Sequence, residues 1–145
     1  MKPREALNRI FSGMRADLHD YSALRELLDA QFRAALEHRA SEICDLGARI
    51  TALAGQIEQR RLERVELATG LAAQTPNAAR QALMSAVAER LQGTSRAAFE
   101  ACWKALEHAV RECKALNLRN CRLLMDQHDI MRRVLDQESD IYVPA

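Results

Sequence analysis

The residues of this chain that could do chemistry are few, and their spacing builds none of the usual constellations. His38 and Glu42 stand four apart, as do His108 and Glu112. On a helix each pair shares a face, where two metal ligands can begin a site. A di-iron bundle, however, needs Glu-x-x-His motifs on facing helices, and the sequence contains none. A solvated histidine beside a surface carboxylate is the plainer account of both pairs. The four cysteines, Cys44, Cys102, Cys113 and Cys121, form no Cys-x-x-Cys motif and read as reduced thiols. Cys113 falls where a small buried apolar residue fits, and nothing supports a Cys–His nucleophile pair. There is no glycine-rich phosphate loop. Arg60, Arg61 and Arg64 are the densest basic cluster, but Glu58, Glu63 and Glu66 interleave with them, which reads as a solvated charged face. No enzyme, cofactor or metal is expected.

Composition narrows the remaining classes. The 145 residues suggest one domain. Lys and Arg number 21 against 20 Asp and Glu, a net charge of +1, whereas a nucleic-acid binder usually carries a strongly basic face. No apolar run approaches the roughly 18–20 residues of a membrane span, and the N-terminal segment lacks the apolar core of a secretory signal. A cytoplasmic protein with no membrane insertion is therefore expected. Aromatic residues are 4%, Gly and Pro together fill eight positions, and Leu with Ala fill 44 of 145. Strands favour β-branched and aromatic residues, so this composition suits long helices.

Periodicity supplies those helices. Leu7, Ile10, Met14, Leu18, Tyr21, Leu24, Leu28, Phe32 and Leu36 recur at steps of three and four. Ile43, Leu46, Ile50, Leu53 and Ile57 form a second seam, with Gly47 and Gly55 read as tolerated surface positions. Leu83, Val87 and Leu91 mark a short third segment. Phe99, Trp103, Leu106, Val110, Cys113, Asn117, Asn120, Leu124, Gln127, Met131 and Val134 continue the pattern without a break. Ser41, Thr75-Pro76, Gly93 and Ser95 supply candidate caps and stops. The spacing predicts helices over 4–38, 41–72, 76–92 and 95–138 in one helical domain, 1–138, with a mobile tail at 139–145. A last helix of that length would span roughly 65 Å. The fold class is therefore all-α: an elongated antiparallel helical bundle or coiled coil with a long C-terminal helix. Ion pairs four apart, such as Asp29–Arg33 and Glu107–Arg111, would dress its wet face.

The stretch from Leu116 to Leu135 says most. Asn117 and Asn120 stand on its seam, where an amide fixes register at some expense of stability; a locally rotated helix would instead leave both in water. Apolar residues also exceed one seam, with Leu116, Leu123 and Ile130 beside it and Leu118, Met125 and Leu135 on further faces. Either several helices cover this surface, or part of it stays exposed for another protein. Met125 and Met131 suit a surface that adapts to partner helices.

The pattern Leu116-Asn117-x-x-Asn120-x-x-Leu123-Leu124, on a long helix followed by a tail with Tyr142, resembles the flagellar chaperone FlgN family. So does the stretch Leu27-Leu28-Asp29-Ala30-Gln31-Phe32-Arg33-Ala34-Ala35-Leu36 in the first helix. Where the family often has glycine after the second asparagine, this chain has Cys121. The resemblance implies a cytosolic export chaperone that binds the hook-associated proteins FlgK and FlgL through its C-terminal helix. It would prevent their premature assembly and deliver them to the export gate. With the apolar excess, it singles out Leu116, Asn117, Asn120, Leu123, Leu124, Met125, Ile130, Met131 and Leu135 for client binding. It assigns Ile141 and Tyr142 to docking on the export apparatus. Two other readings remain open: a self-associating coiled coil, such as a homodimer, and a chaperone for the filament cap protein.

Overall fold

In the computed structural model, residues 1–73 and 83–141 are described. Four helices follow one another: α1 (Pro3–Leu36), α2 (Ala40–Ala72), α3 (Leu83–Glu89) and α4 (Gly93–Ile141). No strand occurs among the described residues. Pro3 opens α1, where a missing N–H removes no helical bond. The expected start of the third helix at Pro76 and the end of the tail at 142–145 lie outside the described residues.

The break between α1 and α2 is set by the backbone rather than by a side-chain cap. His38 adopts the left-handed conformation at φ 57. Its N–H donates to the Ala35 carbonyl at 3.2 Å, and the Arg39 N–H donates to Ala34 at 2.9 Å. This is the Schellman closure, with His38 where glycine usually stands. Ser41, the expected cap, lies inside α2, which starts at Ala40 without a side-chain cap. Arg39 instead pairs with Glu37 at 2.8 Å and Glu42 at 2.5 Å. Gly93 has φ 61, but it opens α4 rather than stopping the third helix, which already ends at Glu89, so Ser95 sits in the first turn of α4.

The long helices alternate in direction along the chain. α1 and α2 run antiparallel, and α4 returns alongside α1 in the same direction as α1. At 49 residues, α4 is about 74 Å long. α1 is the central helix. It packs against both α2 and α4, while α2 and α4 barely meet among the described residues. One core cluster joins Ile10, Met14, Leu71, Val87, Phe99 and Leu106, with Phe11 edge-on to Phe99 at 5.6 Å. A second joins Leu24, Leu28, Ile57 and Cys113.

Between the two clusters lies a buried ionic layer. Asp17, 0% exposed, accepts from Arg60 Nη1 at 2.7 Å and Arg64 Nη1 at 2.5 Å, and Arg60 also pairs with Asp20. The bond to Asp20, and then that to Asp17, push the Arg60 pKa up against the opposing effect of desolvation. Of the basic cluster read as a solvated face, only Arg61 behaves that way, held by Glu58 at 2.8 and 2.7 Å. Arg60 and Arg64 cross to α1.

Gly55 is exposed on α2, and a Cβ there would meet nothing within 4 Å. A Gly55→Ala variant is expected to be more stable by about 1 kcal/mol, from helix propensity alone. The check is a higher midpoint of thermal unfolding.

Candidate functional site

The site begins with how α4 is held. Phe99, Leu106, Cys113, Asn120 and Gln127 recur every seven residues and form the line that faces α1. Three of them bond α1 carbonyls at one constant separation of 92 residues. Cys113 Sγ donates to Tyr21 O at 3.5 Å, Asn120 Nδ2 to Leu28 O at 2.7 Å, and Gln127 Nε2 to Ala35 O at 2.9 Å. Burial pushes the Cys113 thiol pKa up, helped by the nearby Glu112 carboxylate, so the thiol keeps the proton it donates.

Asn120 is the best-secured rung. It is 1% exposed, and its amide also donates to Gln31 Oε1 at 3.1 Å. Its Oδ1 accepts from Arg119 Nε and Nη2 at 3.2 and 3.1 Å. Arg119 in turn lies 3.8 Å over the Phe32 ring and bonds Asp29 at 3.1 Å. Asp29, expected to pair with Arg33, thus ties α1 to α4. The two asparagines divide the alternatives set out for them. Asn120 is on the seam, whereas Asn117 is exposed, with the Cys121 thiol 4.0 Å from its Oδ1. The reason is that α4 packs on one helix here. A single heptad line therefore faces the partner, and the positions between its members turn toward solvent.

Past Gln127 the rungs stop because α1 stops. The register places Leu36, the last residue of α1, level with His128. The rest of α4, to Ile141, projects about 20 Å beyond its partner helix. The α1-facing stripe continues onto this projection, one heptad past Gln127, as Val134. Ile130, Met131 and Leu135 flank it, and all four are exposed, Met131 by 58%. The structure therefore sorts the expected site residues. Ile130, Met131 and Leu135 come together on the free end. Leu123 and Leu124 are half-buried at its root, and Leu116 packs against the second core cluster. Met125 is 65% exposed on another face, with Asn117. Asn120 is consumed inside the bundle and acts as a positioning residue. Val134 is the residue that sequence reasoning left out of the site. Its place on the seam was noted, but not that the seam outlasts its partner. Tyr142 lies outside the described residues.

Among the described residues, no group of three His, Cys, Asp or Glu side chains is placed to hold a metal ion. No described helix is long and apolar enough to cross a membrane. His108 and Glu112 come within 3.8 Å, but Glu112 is also taken by Arg25 at 3.2 Å.

A helical bundle that carries the seam of its longest helix past the end of its partner leaves an apolar stripe with no described helix of its own to cover it. The family model described as FlgN protein matches residues 1–137. The chain belongs to the FlgN family and is thereby a flagellar export chaperone. No curated protein and no solved structure matches it.

Proposed function

We propose that this chaperone binds the hook-associated proteins FlgK and FlgL in the cytoplasm, without enzymatic activity. It keeps them from premature assembly and hands them to the export gate. The observation that carries this reading is the uncovered stripe of Ile130, Met131, Val134 and Leu135. An amphipathic client helix laid there takes the course α1 would follow if it were longer, and buries residues that otherwise favour self-association of both proteins. Delivery requires release, so an affinity near micromolar, about −8 kcal/mol, fits the task. Ile141 and Tyr142 are the segment assigned to contact with the export apparatus.

Isothermal titration with the C-terminal segments of FlgK and FlgL from the same organism tests the reading, with the filament cap protein as the competing client. Saturable one-to-one binding to either hook-associated segment is expected. Heat only with the cap protein would reassign the client. The same stripe also suits a second copy of this chain. A dimer mass in sedimentation that persists at micromolar protein, with no client binding, would establish the self-associating coiled coil instead.

A further inference from the structure

Because α2 and α4 both lean on α1 and barely meet each other, a trough of about 1040 Å³ runs between them. Tyr21 and Leu24 form its floor, Ile57 and Val65 line the α2 wall, and Trp103 and Val110 line the α4 wall. α3 lines it further through Met84 and Ala88. The α4 wall runs from Arg96 to Lys114, about 27 Å, the length of a helix of roughly 18 residues. Past Lys114 the same face of α4 continues as Leu118 and Met125, exposed by 50% and 65%. The trough is therefore continuous with an open apolar track rather than enclosed like a small-molecule pocket.

Its charges say what it would take. Most of the charged side chains along it are matched within the chain: Glu58 with Arg61, Arg96 with Glu100, Glu107 with Arg111, and Arg64 with Asp17. Lys104 and Lys114 differ. Both are exposed on the α4 wall, and among the described residues neither makes an ion pair. They stand ten residues apart, close to three helical turns. We propose that the trough is a second docking channel, filled by an amphipathic helix of the client whose apolar stripe is edged by carboxylates about three turns apart. This rests on the client-binding reading and adds a second contact on a different face from the free end of α4.

Trp103 is the sole tryptophan, so 5-fluorotryptophan labelling of the full chain gives one ¹⁹F resonance inside the channel. Two probes are used: the client segments above, and a synthetic amphipathic helix of about 18 residues with two glutamates roughly three turns apart. A twin peptide carries lysines in place of the glutamates. The acidic peptide and the client are both expected to shift the Trp103 resonance, and the basic twin to leave it unmoved. Lys104→Glu with Lys114→Glu should weaken the acidic peptide roughly tenfold, and both positions are exposed, so the fold should persist. Client binding that disappears with Met131→Asp but never moves Trp103 would overturn the channel and leave the free-end site standing. A client that fails to bind while the acidic peptide still shifts Trp103 would remove the client assignment and keep the channel's acidic-helix preference. Equal shifts from both peptides, or a shift with chaperone concentration alone, would overturn the proposal in favour of nonspecific or self association.

Discussion

A chaperone carrying Met131→Asp and Leu135→Asp is expected to lose client binding by about a hundredfold or more while its helix content and melting temperature stay close to wild type. Both side chains are more than half exposed and touch no core cluster. Surface substitutions of this kind usually change stability by no more than about 0.5 kcal/mol. In a complex they would stand near the centre of the buried stripe. There a truncated anchor typically removes about 2 kcal/mol or more, and a carboxylate must also be desolvated without a partner. Leu62→Asp is the matched control: Leu62 is 51% exposed on α2, away from the projecting end, and its substitution should leave affinity within about threefold. Titration calorimetry on the three proteins decides the matter. Unaltered binding by the double variant would place the client site elsewhere on the molecule.

The second large effect concerns the fold. Asp17→Ala is expected to destabilise the protein by about 3–5 kcal/mol, because it strands the Arg64 guanidinium between the core clusters and leaves Arg60 with Asp20 alone. Arg64 is the more confined, at 11% side-chain exposure, and also lies 6.0 Å from the centre of the Trp103 ring. Replacing Asp17, Arg60 and Arg64 together by leucine and methionine should recover much of that loss, since apolar packing of similar volume often equals a buried ion cluster in stability. Chemical denaturation of the single and triple variants separates the outcomes. A mild single variant would mean that water reaches the arginines once the carboxylate is gone. A triple variant as unstable as the single one would mean that the ionic layer fixes the pairing of α1 with α2.

Step-of-three-and-four periodicity was enough to locate the two longest packing faces, because each is a local property of one helix. The ionic layer was harder to read because its partners are 40 to 47 residues apart. Within their own helix, Arg60 and Arg64 look no different from Arg61. A signal did exist. Asp17 falls on the same face as Ile10, Met14, Leu24 and Leu28, and a carboxylate on an apolar stripe needs a cation from somewhere. Asn117 and Asn120 were indistinguishable for a related reason. Three residues separate them, either could face a partner, and only the direction of α1 relative to α4 chooses. The projecting end was visible as surplus apolar surface, but its extent depends on where α1 ends. That point is fixed by the left-handed His38, a position with no glycine to announce it.

The heptad rungs between α1 and α4 make the first helix a ruler. Each turn of α1 covers one turn of α4, and Gln127 on Ala35 is the final graduation. What remains bare is whatever α4 has beyond that mark. Lengthening α1 by one heptad would hide Val134 beneath a new rung, and shortening it by one would bare Gln127 and remove the Ala35 carbonyl that holds it. On the client-binding proposal, the difference in length between these two helices would then meter how much client the chaperone can hold.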